Sequence, residues 1–272
     1  MAGAGDVIDH RFELERELRG GGMGRIFRAV DRHTGALVAV KVAIEADGDT
    51  GARFRREAVL LAELAHPAIV AYVAHGELAD RRPYLVMEWL EGADLGQILE
   101  TSVTPPPATV KSHPGSLATL EPSVTPCGTG LDLATAVRVA RRIAAALSAL
   151  HARGVVHRDI KPGNVFLPQR DPAQTKLLDF GTARERLPAH PVTTEGTLIG
   201  TPYYMAPEQV REGGEIGPAA DVWAVGCVLC ECLTGRAPFF ASHPLAALAR
   251  IMIEDPTPVV DLRPDMPDDL AL

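Results

Sequence analysis

Four side chains of complementary chemistry lie close together in the middle of this 272-residue sequence: the Asp159 carboxylate, the Lys161 ammonium, the Asn164 amide and, a short interval later, the Asp179 carboxylate. A carboxylate can accept or orient a hydroxyl proton, and an ammonium can neutralise developing negative charge. An amide oxygen and a second carboxylate offer hard ligands to a divalent cation. Together they suit phosphoryl transfer from a metal-bound nucleotide, in which positioning and charge neutralisation do most of the catalysis. Asp159 and Asn164 are near enough in sequence for one short loop to aim both at a single centre, and Asp179 can return on a neighbouring strand. Any one of these residues could sit in a solvated surface loop, so the ordered set carries the reading.

The wording around them, His157-Arg158-Asp159-Ile160-Lys161-Pro162-Gly163-Asn164 followed by Asp179-Phe180-Gly181, resembles the eukaryotic-like protein kinases, specifically the serine/threonine branch of bacterial type. The resemblance implies an α+β, two-lobed protein-kinase-like fold with a small β-rich lobe carrying one helix and a larger, mainly helical lobe. It implies ATP as donor, with Asn164 and Asp179 holding Mg2+, Mn2+ being the alternative ion. Asp159 would take or orient the acceptor hydroxyl proton, and Lys161 would stabilise the transferring oxygens. Lys41 ends Val38-Ala39-Val40-Lys41, which resembles the family strand that directs an ammonium at the α- and β-phosphates, and Glu57 stands where the family has its pairing glutamate. The nucleotide cleft would be lined by Gly21, Gly22, Gly24, Ile26, Ala39, Lys41, Glu88 and Leu90. Arg19-Gly20-Gly21-Gly22-Met23-Gly24 fits the loop over the phosphates, where glycine lets backbone amides approach closely. The family pattern has glycine where this chain has Arg19.

Acceptor choice is also written in the sequence. Lys161 with Pro162 resembles the serine/threonine rather than the tyrosine form, and Gly200-Thr201-Pro202-Tyr203-Tyr204-Met205-Ala206-Pro207-Glu208 resembles the platform that seats a protein substrate. By resemblance Thr201 bonds toward Asp159 and Lys161, and Asp221, with Trp223 nearby, braces the catalytic loop backbone. The implied partners are ATP and proteins offering Ser or Thr.

Elements able to position these groups follow from local pattern. Strand signals run from Phe12 to Val42 with a turn at Thr34-Gly35. Helical spacing of Phe54, Ala58, Leu61 and Leu64 marks residues 50 to 65, and Pro67 closes that helix. Strand-like runs follow at Ile69 to His75 and Tyr84 to Trp89, then a hinge near 87–92. A helix is expected near 132–152, strands around Val165 to Leu167 and Lys176 to Leu178, and a buried helix at Val222 to Leu233, which is apolar nearly all round. The organisation reads as an extension at 1–11, a small lobe at 12–90 and a large lobe at 91–272.

Residues 101–130 interrupt the pattern with Pro, Ser, Thr and Gly, and are read as a disordered insert. Ser-Val-Thr-Pro occurs there twice, ending at Pro105 and Pro126: either paired phosphorylation sites at Thr104 and Thr125, or chance repetition in biased sequence. A net charge of −8 argues against a general nucleic-acid binder. With no uninterrupted apolar run of about 18 residues, a membrane segment is not expected and the cytoplasm is. Cys227, Cys230 and Cys232 crowd one apolar run with only Cys127 elsewhere, which reads as core packing rather than zinc binding.

Kinase large lobes continue past a segment like Pro256 to Asp268, through helices with an arginine that pairs with the glutamate at Glu208. Their lack here reads as an incomplete lobe, a fragment or one covered by a partner. Two functions therefore stand: a serine/threonine protein kinase that also phosphorylates itself, and a non-catalytic kinase-like scaffold impaired by the short lobe or by Arg19. Arg158 beside Asp159 implies control by charge in the 182–199 loop, where Thr193, Thr194 and Thr197 are acceptors and Glu195 is a built-in anion. If Glu195 supplies part of that charge, Glu195→Ala lowers kinase activity. Unchanged activity, with Thr193→Ala and Thr194→Ala abolishing it, returns Glu195 to an ordinary solvated loop residue.

Overall fold

The computed structural model describes residues 3–21, 24–46, 48–102, 130–180, 202–211 and 214–267. Alternating burial builds the first lobe. Strands β1 (Val7–Ile8), β2 (Phe12–Gly21), β3 (Gly24–Asp31), β4 (Leu37–Ala43), β5 (Tyr72–Glu77) and β6 (Pro83–Glu88) form one antiparallel sheet in the order β1-β2-β3-β4-β6-β5. Successive side chains of a strand point to opposite faces, so β6 serves two cores. Tyr84 and Val86 join Phe12, Leu14, Phe27, Val38 and Val40 on one face, while Leu85 and Met87 face the other.

That second face is covered by helix α1 (Gly48–Glu63) through Phe54, Ala58 and Leu61. The same apolar cluster continues without a break into the helical lobe, through Leu95 and Leu99 of α2 (Leu95–Ser102) and Val139, Ile143 and Leu150 of α3 (Leu133–His151). Asp132 starts α3 by accepting the Thr135 N–H, satisfying one of the amides that a helix start leaves without a partner. A three-stranded sheet of β7 (Gly92–Asp94), β8 (Val165–Pro168) and β9 (Lys176–Leu177) adjoins the segments that hold Asp159 and Asp179. The short helix α4 (Pro207–Val210) and the longer α5 (Pro218–Thr234) follow. Proline opens α5 and Gly235, at φ 76°, closes it in the left-handed conformation. Helices α6 (Pro244–Ile253) and α7 (Val259–Leu262) complete the described chain, and Arg263 donates to the carbonyls of Leu131 and Leu233.

Several local expectations shift. Part of the expected 1–11 extension joins the sheet: Val7–Ile8 pairs with β2, Ile8 is buried, and the Tyr84 hydroxyl donates to Asp9. The run from Ile69 does not enter the sheet until Tyr72. Its first residues are held by the other lobe: Val70 N–H donates to the Leu177 carbonyl at 3.1 Å and Leu177 N–H to that of Ala68 at 2.8 Å. Helix α2 extends to Ser102, into the start of the expected insert; Thr104, Thr125 and Cys127 lie outside the described residues. Helix α5 is only partly enclosed, since Val222 stays 66% exposed.

Gly92, at the junction of the lobes, has φ 149°, and a Cβ there would overlap the Leu167 carbonyl oxygen across the β7–β8 pair. Gly226 in α5 is exposed, and a Cβ there would meet nothing within 4 Å. Gly92→Ala is expected to cost about 2 kcal/mol or more, read as a fall in Tm of about 4–8 °C. Gly226→Ala is expected to raise Tm slightly by relieving about 0.5–1 kcal/mol of helix-interior glycine cost.

Candidate active site

Lys41 ends the inner part of β4 with its side chain almost sealed from solvent, at 4% exposure. A buried ammonium needs anionic partners. It has two: Nζ donates to both Glu57 carboxylate oxygens at 3.1 Å, from α1, and to Asp179 Oδ1 at 2.5 Å, from the segment following β9. Burial favours the neutral amine, but the facing Asp179 and Glu57 carboxylates outweigh it and raise the Lys41 pKa above the ordinary lysine value. Burial also dominates at Glu57, which is raised despite Lys41. Desolvation works the same way at Asp179, yet Lys41 prevails there and the carboxyl is lowered. The Asp179 side chain keeps 41% of its surface open and its backbone lies at φ 46°. It is thus an accessible, ionised carboxylate, aimed by a strained backbone.

Asp159 is held by a second set of bonds. Its Oδ2 accepts from Lys161 Nζ at 2.7 Å and from Asn164 Nδ2 at 3.0 Å, and its carbonyl accepts from the same Asn164 nitrogen at 2.7 Å. With the amide nitrogen committed on that side, the Asn164 oxygen points away from Asp159. His157 is fully buried, and desolvation lowers its pKa, so the ring is neutral. Nδ1 accepts the Asp159 N–H at 3.3 Å, which leaves the proton on Nε2 to reach the Leu178 carbonyl, also at 3.3 Å. Below this loop lies Asp221, almost fully buried, accepting the backbone N–H of His157 at 2.9 Å and of Arg158 at 2.7 Å. His151 Nε2 donates to the same carboxylate at 2.7 Å. The bracing expected of Asp221 is therefore present as direct bonds.

The cleft residues are placed by the sheet. Ile26 is in register with Lys41, Ala39 with Met87, and Gly21 faces Gly24 at the end of the β2–β3 pair. Gly24 runs close to its neighbour: a Cβ there would lie 2.7 Å from the Val42 carbonyl oxygen. Leu90 is half-buried and packs on the main core. Glu88 differs from a simple lining residue. Its carboxylate is taken by Lys176 Nζ at 2.6 Å and the Ala71 N–H at 2.7 Å, and its own N–H by the Ala71 carbonyl at 2.9 Å. Gly22, Thr193, Thr194, Glu195, Thr197 and Thr201 lie outside the described residues, as does the Arg19 side chain.

Three participants carried no signal in the sequence. Gln209 joins the segment after Tyr204 to the catalytic loop, accepting the Ala206 N–H and donating to the Arg158 carbonyl, both at 2.9 Å. Arg142 of α3 reaches the Pro67 carbonyl at 2.6 Å, and Lys176 reaches Glu88 across the lobes. Each has a partner more than fifty residues away, so only the fold reveals its role. A recess beside Asp159 is lined by Lys161, Tyr204, Met205 and Gln209 among others. The Tyr204 hydroxyl donates to Glu231 at 2.6 Å, and burial raises the pKa of both groups. Cys227, Cys230 and Cys232 are buried free thiols, and burial pushes Cys227 and Cys232 up to about 12. Among the described residues no helix is long and apolar enough to cross a membrane.

Residues 12–259 match the family described as the protein kinase domain. The chain is 32% identical over 271 residues to serine/threonine-protein kinase pkn3 of Myxococcus xanthus, an overlap covering 96% of this chain and 44% of that protein. It is 34% identical over 270 residues to serine/threonine-protein kinase PknA of Mycobacterium tuberculosis, covering 97% of this chain and 55% of the relative. Against serine/threonine-protein kinase PknB of Mycobacterium leprae it is 34% identical over 257 residues, covering 92% and 37%. The chain spans about half the length of these relatives, or less. By its matched domain, its two-lobed fold and these relatives, the chain belongs to the protein kinases, in the bacterial branch of the eukaryotic-like serine/threonine type.

Proposed function

We propose that this chain transfers the γ-phosphate of ATP to serine and threonine hydroxyls of proteins, its own included, as the catalytic part of a signalling kinase. The observation that carries the reading is the meeting at Asp179 of charges from distant parts of the sequence: Lys41 binds it, and Lys161 lies near enough to help lower its pKa. Lys41 is held by Glu57 and Asp179, and Asp159 by Lys161 and Asn164. Lys41, steered by Glu57, meets the α- and β-phosphates. Asp159 takes up the acceptor hydroxyl or its proton, and Lys161 shields the oxygens of the group in flight. Gly21, Gly22 and Gly24 let the loop backbone approach the phosphates, while Ile26, Ala39 and Leu90 enclose the base. Glu88 contributes through its backbone carbonyl, because its carboxylate and N–H are already engaged.

The donor set fits a hard divalent cation: an accessible carboxylate at Asp179 and an oriented amide oxygen at Asn164. When bound, Mg2+ neutralises the phosphate charge that otherwise repels an incoming oxygen. Mn2+ suits the same ligands. Dependence on ATP favours the cytoplasm as the working compartment. A partner over the large lobe would gain most by covering Val222 and Ile253, whose side chains are exposed at 66% and 81%.

Purified chain supplied with ATP and Mg2+ is expected to label itself and a serine- or threonine-containing protein, with no labelling of tyrosine. Removing the metal with a chelator is expected to abolish incorporation, and added Mg2+ or Mn2+ to restore it. Asp159→Asn is expected to lower the rate by about a thousandfold. Incorporation absent from a demonstrably folded sample supports the scaffold reading instead. Lys41→Met is expected to slow transfer by about a hundredfold or more and to destabilise the fold by about 3–5 kcal/mol, because Glu57 then lies buried without its cation. Steady-state rates and thermal melts check both effects.

A further inference from the structure

The peptide joining Arg158 to Asp159 is held at both ends by side chains from elsewhere in the fold. Arg158 sits at φ 66°, a left-handed conformation that a side chain disfavours and that persists only where surrounding bonds impose it. Its N–H is fixed by Asp221. Its carbonyl accepts from Gln209 Nε2 at 2.9 Å, and the N–H on the same peptide plane, that of Asp159, meets His157 Nδ1 at 3.3 Å. A peptide unit is rigid and planar, so fixing its oxygen and its nitrogen fixes the direction in which the Asp159 Cα leaves it.

Gln209 is 6% exposed and both ends of its amide are committed. The Ala206 N–H requires the oxygen on one side and the Arg158 carbonyl requires the NH2 on the other, so the amide has one orientation. Ala206 ends the segment that carries Tyr204 and Met205, which line the recess beside Asp159. Filling that volume requires only a side chain of similar length. Retaining a buried amide there requires partners for it, and it has one on each of two functional segments.

We propose that Gln209 is a positioning residue of the phosphoryl-transfer reaction, transmitting the placement of the acceptor-side segment 202–206 to the peptide plane that aims Asp159. The role rests on the kinase reading above. Gln209→Met keeps the length and removes both bonds. Gln209→Glu keeps an acceptor for the Ala206 N–H, while its ionised form gives the Arg158 carbonyl no donor.

With a peptide acceptor, both variants are expected to lose about tenfold to a hundredfold in kcat, with ATP affinity by fluorescent-nucleotide titration within about twofold of the parent. The peptide KM is expected to rise only in Gln209→Met. Relative to the parent, Gln209→Glu is expected to regain kcat as pH falls from about 8 to about 6, because a protonated carboxyl can donate to the Arg158 carbonyl; Gln209→Met gives no such recovery. A kcat within about twofold of the parent in Gln209→Met, or a loss in Gln209→Glu that does not recover on acidification, overturns the proposal. Amide exchange read by NMR needs no turnover: the Asp159 amide is expected to exchange faster in both variants, and the Ala206 amide only in Gln209→Met. A parent chain that incorporates no phosphate but shows this exchange pattern refutes the kinase reading, and with it any role in transfer, while leaving the mechanical coupling of Gln209 to the Arg158–Asp159 peptide standing. An active parent whose variants match it in kcat and exchange refutes the positioning role alone.

Discussion

An ammonium at 4% exposure remains charged only where anions face it, and Lys41 draws its two from opposite sides of the cleft. Glu57 arrives on the helix that covers the sheet, Asp179 on the segment leaving β9 in the other lobe. The sheet, the helix and the second lobe are therefore registered to one another by a single nitrogen. A shift of α1 away from β4 leaves a buried carboxylate without its cation, and a turn of the Asp179 backbone removes the bond from the far lobe. The asymmetry between the carboxylates follows from their surroundings: burial dominates at Glu57 and Lys41 at Asp179, so the more open one is also the more readily ionised.

The catalytic loop is organised by the opposite device. Its backbone is poorly suited to regular structure, with Arg158 at positive φ, so its orientation is imposed by buried polar side chains. Asp221 takes two successive N–H groups, Gln209 the next carbonyl, His157 the N–H of Asp159, and Asn164 the carbonyl of Asp159. Every bond leaves the reactive carboxylate where a flexible loop on its own would let it wander. Such polar groups are costly to bury unless paired, and here the pairing is the scaffold of the site.

What the sequence disclosed depended on the range of the interactions involved. Asp159, Lys161 and Asn164 could be read because their spacing brings them together within one loop, and the strand ending at Lys41 because alternation in β4 is local. The match of Lys41 with Glu57 was legible only through family wording, since nothing in either segment specifies the other. Ile69 and Val70 have the composition of a strand, yet the Val70 N–H goes to the Leu177 carbonyl and the Ile69 carbonyl to Lys176 across the lobe junction, which no periodicity records. Val7–Ile8 is too short to signal a strand alone and gains its pairing from β2. Gln209 and Lys176 were invisible for the same reason: each is a polar residue among other polar residues, and the partner that gives it a role lies far away in the sequence. Glu88 is legible as a residue of the junction, while the destination of its carboxylate is not.

The apolar cluster that runs from Phe54 and Leu61 through Leu95 to Ile143 and Leu150 has no seam at the hinge. A division of this chain near residue 90 marks the change from sheet to helices, and it does not mark a gap in the apolar interior. Cutting there would expose the inner face of the sheet and its helix on one piece and the matching face of α2 and α3 on the other, large apolar areas that each piece covers only with the other. A displacement of one lobe against the other therefore has to be absorbed within a shared apolar interior, which ties the placement of the site to the packing of the whole cluster.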